Sequence, residues 1–178
     1  MNKLFVLLVT ALVASGFPTP SIRSSHQPLF QLSSSPSTEQ EASSTATSIS
    51  LFSPCKINLF LRIIRKREDG FHDLASLFQA IGFGDQLELT TIDAEADEFD
   101  CNMPGVPKDS SNLVLRALQL MREKTGVNQY FNANLIKQVP AQAGLGGGSA
   151  NAATAMWGAN ELMGRPASLE DVSQFLCM

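Results

Sequence analysis

The sequence predicts an α+β fold beyond residue 50, because segments with strand periodicity and segments with helix periodicity follow one another. Apolar side chains alternate along residues 57–64, and shorter strand-like patterns occupy residues 86–91 and 132–137. Apolar residues recur at helical spacing along 113–121 and again along 150–163. The chain is 44% hydrophobic and 17% charged, which is usual for a globular domain.

The first predicted strand ends at a charged turn. Arg65, Lys66 and Arg67 precede Glu68-Asp69-Gly70, and we interpret this basic triplet as a solvated hairpin end rather than a nucleic-acid patch. The net charge of −4 gives no indication of binding to nucleic acid or to anionic membranes.

Capping residues indicate where the helices begin and end. Residues 109–112 offer several N-caps for the first helix, which is expected to stop near Gly126. Its apolar stripe is predicted to consist of Leu113, Val114, Ala117, Leu118 and Met121. The second helix is expected to end at Gly164, and Ser168 with Asp171 forms a capping box that opens a third.

A glycine-rich loop joins the last strand to the second helix. Four of the twelve glycines lie within positions 144–148. Glycine accepts positive φ without a Cβ clash, and successive main-chain N–H groups in such a turn can converge on an anion at the helix N-terminus. The loop therefore predicts phosphate binding, although it lacks the lysine of a Walker A loop and the acidic partner of a dinucleotide fold. A flexible linker is the alternative, which the flanking strand and helix disfavour.

The first fifty residues are interpreted as a targeting leader. Residues 1–16 combine a short basic start, an apolar run and small residues, as a signal peptide does, and the run is too short for a membrane-spanning helix of about 20 residues. Residues 17–50 resemble a transit peptide, with fifteen Ser or Thr among positions 19–50. We expect delivery to a plastid, with secretion as the alternative, and no stable membrane association once the leader is removed.

Cysteine usage argues against two kinds of site. Cys55, Cys101 and Cys177 are odd in number and lack metal-ligand spacing, so neither a disulfide framework nor a zinc site is predicted.

The spelling of the loop, Pro-x-x-x-Gly-Leu-Gly-Gly-Gly-Ser from Pro140 to Ser149, resembles the phosphate loop of the galactokinase, homoserine kinase, mevalonate kinase and phosphomevalonate kinase superfamily. Residues 53–61, 69–74 and 77–79 and the pair Gly84-Asp85 are similar to the N-terminal half of the 4-diphosphocytidyl-2-C-methyl-D-erythritol kinase family. The resemblance covers about residues 52–176. It implies that residues 51–178 form the ATP-binding N-terminal half of a two-domain kinase of this superfamily, without the C-terminal domain.

The resemblance also implies a reaction. It is transfer of a phosphoryl group from ATP, with Mg²⁺, to the 2-hydroxyl of 4-(cytidine 5′-diphospho)-2-C-methyl-D-erythritol in the non-mevalonate isoprenoid pathway. Family members supply a catalytic aspartate from a Gly-Ala-Asp motif in their second half, so this chain is expected to be incomplete and inactive as given. The alternatives are another small-molecule kinase of the superfamily and a non-catalytic nucleotide-binding module.

Three substrate-side roles follow from the resemblance. Lys56 is the catalytic candidate, since an ammonium near a developing alkoxide stabilises it; the alternative is a surface lysine. Asn58 lies two residues further along the same strand face and is expected to bind the polyol. Phe71 and His72 are expected to clamp the cytosine ring, with phenylalanine in place of the family's usual tyrosine; for His72 the alternative is a plain turn histidine.

The adenosine side is assigned to Asn112, Leu113 and Lys137. Asn112 has the alternative role of a helix cap, and Lys137 that of a solvated edge-strand lysine. Ser149 is expected to reach a phosphate oxygen or Mg²⁺, or to cap the helix. The remaining ATP-binding candidates are the loop residues Pro140, Ala141, Gln142, Ala143, Gly144, Leu145, Gly146, Gly147, Gly148 and Ala150.

Overall fold

The computed structural model describes residues 46–176, which form a four-stranded sheet and three helices. The strands are β1 (Ser48–Lys66), β2 (His72–Ile92), β3 (Glu98–Cys101) and β4 (Tyr130–Ile136), and the helices are α1 (Leu113–Thr125), α2 (Gly147–Leu162) and α3 (Leu169–Phe175). The strand order is β1-β2-β4-β3; only the β3–β4 pair is parallel. The predicted α+β fold is confirmed.

One face of the sheet is buried beneath the helices. Alternate residues of each long strand point to this face, as the period of two requires, and the buried set is Ile49, Leu51, Leu87, Leu89, Phe131, Ala133 and Leu135. Helix α2 packs on β1 and β2 and beside α1. Its closest approach is at Gly158, where a Cβ would lie 2.6 Å from Cδ1 of Leu51 and 2.8 Å from Cδ1 of Leu89.

Beyond Cys55, β1 and β2 continue as a two-stranded extension, residues 56–82, which we call the hairpin arm. Large apolar side chains on the arm are between 50% and 62% exposed, namely Leu59, Phe60, Leu61, Ile63, Ile64 and Leu77. Two register irregularities interrupt its ladder, and a third lies at its base, between Pro54 and Lys56. The arm ends where the charged turn was predicted: the Arg67 N–H donates to the Phe71 carbonyl at 2.7 Å, and Gly70 has a φ of 86°.

The predicted helix ends are confirmed at three positions. The Asn112 side chain accepts a hydrogen bond from the Val114 N–H, Gly126 caps the C-terminus of α1 in the left-handed region, and Ser168 and Asp171 form the capping box of α3. Four residues of the predicted apolar stripe of α1 are buried, whereas Leu113 is 43% exposed.

Several element bounds differ from the expectation. Strand β1 begins at Ser48, three residues inside the predicted leader, because Ile49 enters the core. Strand β3 was not predicted, since four residues carry too little periodicity. Helix α2 begins at Gly147 rather than at residue 150. The predicted signal peptide, most of the following leader and Cys177 lie outside the described residues.

Within residues 46–176, no helix is long and apolar enough to cross a membrane. Cys55 and Cys101 are buried free thiols.

Candidate active site

The glycine-rich loop is an exposed turn that leads directly into α2. Gln142, Gly144 and Gly146 have φ values of 60°, 74° and 72°, a left-handed region that glycine enters without strain. Gly146 is the N-cap of α2 and, having no side chain, leaves the amides of the first turn without a side-chain acceptor. Ser149 is the third residue of α2, so its interpretation as the N-cap is wrong. The loop presents a helix N-terminus suited to an anion.

Lys56 contacts this loop from β1. Its backbone N–H donates to the Leu145 carbonyl at 2.9 Å, and its Nζ donates to the Gly144 carbonyl at 2.5 Å. Its aliphatic chain lies against Gly146, where a Cβ would be 3.1 Å from both Cγ and Cε of Lys56. A side chain at position 146 is therefore opposed by backbone conformation and by lack of space.

Two further groups hold the Lys56 ammonium. Nζ donates to Oδ1 of Asn58 at 3.2 Å and lies 5.5 Å from the centroid of the Phe78 ring, within the range of a cation–π contact. The residue before it, Cys55, is a buried thiol whose pKa is raised by that burial. The structure thus brings Lys56 and Asn58 together with residues 144–146.

Lys137 is part of a buried ion pair beneath the loop. Its Nζ donates to Oδ2 of Asp85 at 2.7 Å, and the two residues are 8% and 1% exposed. Strand β4, which Lys137 follows, lies between β2 and β3, so the interpretation of Lys137 as a solvated edge-strand lysine is wrong. The positive charge of Lys137 is neutralised by Asp85.

Asp85 is held as a carboxylate. Burial by itself would raise its pKa, but hydrogen bonds from Lys137, from the Val139 and Gln138 amides and from Asn151 outweigh burial and lower the pKa below its usual value. The Asn151 side chain in turn accepts a hydrogen bond from the Ser53 hydroxyl at 2.7 Å.

Asn112 and Leu113 lie at the start of α1, beside the end of the loop. The Asn112 side chain is occupied, since Oδ1 accepts from the Val114 N–H at 2.8 Å and Nδ2 donates to the Pro107 carbonyl at 2.6 Å. The helix-cap role of Asn112 is thereby confirmed. Leu113 is the exposed neighbour: a Cβ on Gly148 would lie 3.6 Å from its Cδ1. It offers an apolar surface at the mouth of the loop.

Phe71 and His72 lie at the far end of the hairpin arm. Phe71 is 67% exposed, and its N–H is fixed by the Asp69 carboxylate at 3.1 Å. His72 is exposed and pairs with Lys66, ten residues along β1 from Lys56, a span of at most about 33 Å. The structure does not bring this pair to the glycine loop, so a ligand that touches both must be elongated.

Comparison with known proteins shows which kinases the chain resembles. The family of GHMP kinases N terminal domains matches residues 112–178. A chloroplastic 4-diphosphocytidyl-2-C-methyl-D-erythritol kinase of Arabidopsis thaliana is 57% identical over 117 residues, which are 65% of this chain and 30% of that protein. The kinase of the same name from Protochlamydia amoebophila is 50% identical over 128 residues, covering 72% of this chain and 44% of that protein. The chain resembles GHMP kinases over these matched residues.

Solved structures agree with this resemblance. A crystal structure of 4-(cytidine 5′-diphospho)-2C-methyl-D-erythritol kinase aligns with a TM-score of 0.59 at 30% identity, covering 71% of this chain and 45% of that one. A homoserine kinase from Cytophaga hutchinsonii, at 20% identity and a TM-score of 0.53, shares the fold. The chain spans between about a third and a half of the length of the relatives it matches.

The sequence analysis assigned no role to Ser53, Asp85 or Asn151, which are buried polar residues beneath the loop. A signal for two of them was present in the strand periodicity: Asp85 falls in step with the inward-facing Leu87 and Leu89, and Ser53 with Leu51. Polar residues at such positions require buried partners. For Asn151, whose partners are distant in sequence, we find no comparable signal.

Metal-ligating side chains do not cluster within the described part of the chain. Among residues 46–176, no group of three His, Cys, Asp or Glu side chains could hold a metal ion.

Proposed function

We propose that this chain forms the nucleotide-binding part of an ATP-dependent kinase that phosphorylates the 2-hydroxyl of 4-(cytidine 5′-diphospho)-2-C-methyl-D-erythritol. One observation carries the proposal: the Lys56 ammonium lies 2.5 Å from the Gly144 carbonyl, so the cation and the glycine loop share one site. The substrate is inferred from the names of the relatives, which are 50% to 57% identical over the matched part.

The loop supplies what phosphoryl transfer needs from a protein. The transferred group carries negative charge, and catalysis consists largely of positioning it and neutralising that charge. Residues 144–149 offer main-chain N–H donors at the N-terminus of α2, where its partial positive charge adds to their effect. Leu113, exposed beside Gly148, provides an apolar surface for adenine.

Lys56 acts on the acceptor hydroxyl. Its ammonium is held by Asn58 and by the Phe78 ring, which orient it at the edge of the loop. An ammonium at this point stabilises the developing alkoxide and the transferring group electrostatically. The Asn58 amide retains a donor for a substrate hydroxyl, since only its oxygen is used by Lys56.

Mg²⁺ would enter the site together with the nucleotide. Asp85, the carboxylate beneath the loop, is 1% exposed and is occupied by four hydrogen-bond donors, so it is not a free ligand. The phosphate oxygens themselves and the half-buried Ser149 hydroxyl would then hold the ion, in agreement with the preference of Mg²⁺ for few protein ligands.

The tip of the hairpin arm is proposed to bind the cytidine end of the substrate. Phe71 presents an exposed ring for stacking, and His72 presents an imidazole for the base edge. A nucleotide-linked polyol is elongated, as the separation between the tip and Lys56 requires. Delivery to a plastid is proposed from the predicted leader and from the chloroplastic relatives.

The test is a pair of calorimetric titrations, with ATP and with the cytidine-linked methylerythritol. Wild type should bind both. Phe71→Ala should bind the cytidine ligand about tenfold more weakly, because it removes the ring on which the base stacks. Its affinity for ATP should be unchanged. Phe83→Ala is the matched control, because Phe83 is also exposed, at 41%, but lies outside the tip and the loop.

Each alternative has its own result. If the protein binds ATP and also binds homoserine or a phosphorylated mevalonate, but not the cytidine ligand, its substrate is a different one within the superfamily. ATP binding without any second ligand would favour a nucleotide-binding module. Absence of ATP binding would refute the kinase proposal.

A further inference from the structure

The two ends of the glycine loop converge on one buried carboxylate. On the entry side, Oδ1 of Asp85 accepts the backbone N–H groups of Gln138 and Val139, each at 2.7 Å. On the exit side, Oδ2 accepts Nδ2 of Asn151, in the second turn of α2, at 3.0 Å. Asp85 itself belongs to β2, so one side chain ties the sheet to both ends of the loop.

We propose that Asp85 is a positioning residue that sets the shape of the glycine loop for the phosphates of the nucleotide. The inference rests on the proposed function of the loop. Asp85 is 1% exposed and does not reach the ligand; it acts through the backbone it holds.

Few other contacts hold the glycine loop in place. Residues 140–144 are exposed, and the contacts at its centre are those of Lys56 with the Gly144 and Leu145 carbonyls. At the base, the entry and exit segments touch: a Cβ on Gly147 would lie 3.0 Å from Cγ1 of Val139 and 3.3 Å from Nζ of Lys137. Small displacements of the base therefore move the amides at the start of α2.

Lys137 completes the arrangement by neutralising the carboxylate. Its Nζ binds Oδ2, the same oxygen that accepts from Asn151, so the oxygen accepts two side-chain donors. In Asp85→Asn, an amide that keeps the two backbone bonds must turn its NH₂ group toward these two donors. The exit side would then be released, while the volume of the side chain is unchanged.

The matched control is Asp97→Asn. Asp97 is another buried carboxylate, with a side-chain exposure of 6%, and it accepts two bonds from Arg122 and one from the Phe131 N–H. It ties α1 to β4 away from the loop. A general loss of stability should appear in both variants, whereas loss of loop order should appear in Asp85→Asn alone.

Two measurements below the unfolding temperature decide the proposal. Without nucleotide, hydrogen exchange of the Ala150 amide, whose N–H donates to the Gly146 carbonyl at 2.9 Å, should be about tenfold faster in Asp85→Asn than in wild type, and unchanged in Asp97→Asn. In calorimetric titration with ATP, Asp85→Asn should bind about tenfold more weakly, and Asp97→Asn within about twofold of wild type. Asp85→Asn combined with Asn151→Asp returns a carboxylate next to the amide introduced at position 85 and should restore both quantities.

The results separate the inference from the function on which it rests. Unchanged exchange in Asp85→Asn, or faster exchange with unchanged ATP affinity, would overturn the positioning role. Failure of wild type to bind ATP would refute the proposed function, while the exchange data would still decide whether Asp85 orders the loop. If Asp85→Asn does not fold, Asn151→Ala carries the test. It removes the exit-side bond to Asp85, together with the bond from Ser53, and keeps the entry-side bonds, so it should speed exchange of the Ala150 amide but not of the Gln138 and Val139 amides.

Discussion

Lys56 reaches the glycine loop only because β1 passes beside it, and nothing local in the sequence predicts that contact. The residue type and its neighbours, Pro54-Cys55 before and Asn58 after, indicated a site lysine through family resemblance. The hydrogen bond to Gly144, 88 positions away, depends on the tertiary fold. Likewise, the ion pair that occupies Lys137 joins residues 52 positions apart, and the solvated alternative was wrong for that reason.

Gly147 provides a test of how tightly the base of the loop is packed. A Cβ there would meet Val139, which is fully buried and has no room to move, at 3.0 Å and 3.2 Å. Gly148→Ala is the control, since its Cβ would make an ordinary 3.6 Å contact with Leu113. Both changes gain the same helix propensity, so Gly147→Ala should be less stable than Gly148→Ala by about 1–2 kcal/mol. Equal midpoints in urea denaturation would refute the close packing.

The pKa shift of Asp85 predicts how the stability of the fold changes at acidic pH. Its pKa is lowered in the folded protein, so its contribution is complete above the unfolded pKa of about 3.9 and is lost as the pH falls through the lower folded pKa. The difference in unfolding free energy between wild type and Asp85→Asn should be constant above about pH 5 and shrink below about pH 4. Urea denaturation across this range measures it, and other carboxylates cancel in the difference. A difference that grows on acidification would contradict the direction of the pKa shift.

At the scale of elements, the sequence pattern predicted those features that depend on residues close together in the chain. Strand segments, two helix caps and the capping box were all found in the structure because their signals are adjacent in sequence. The start of α2 was misplaced since its first two residues are glycines, which the pattern assigned to the loop. The register of β1 on β2, with its irregularity between Pro54 and Lys56, could not be predicted because it is set by pairing between strands.

Gly84 is required at that irregularity. A Cβ would lie 2.3 Å from the Ser53 carbonyl oxygen and 2.8 Å from Cα of Pro54, and backbone atoms cannot yield as side-chain ends do. Gly84→Ala should therefore destabilise the protein by about 3 kcal/mol or more. Gly82, in the same strand, has nothing within 4 Å of its would-be Cβ, and Gly82→Ala should stay within about 1 kcal/mol of wild type. Similar melting temperatures for the two variants would show that β1 and β2 do not approach as described.

At the scale of the whole molecule, the chain divides into a two-layer body and a hairpin arm. The body buries the inward residues of the sheet beneath α1 and α2, whereas the arm leaves apolar residues exposed on both faces. The exposed apolar surface of the described residues is concentrated on the arm, a location that composition alone could not give.

The arm should contribute to association more than to stability. Leu59→Thr and Ile64→Thr replace side chains that are 57% and 61% exposed, and threonine retains the strand propensity. Their unfolding free energies should remain within about 1 kcal/mol of wild type, while self-association in sedimentation velocity decreases. Leu87→Thr, at a fully buried position, is the control and should lose several-fold more stability. Arm variants as unstable as Leu87→Thr would show that the arm belongs to the core.

The most direct test of the account is an NMR titration of the protein with ATP, followed through its backbone amides. If the glycine loop binds phosphates, the amides of residues 144–149 should shift most, and adenosine, which lacks phosphates, should leave them nearly unchanged. Shifts confined to other parts of the molecule, or equal responses to ATP and adenosine, would contradict the assignment of this loop as the phosphate site.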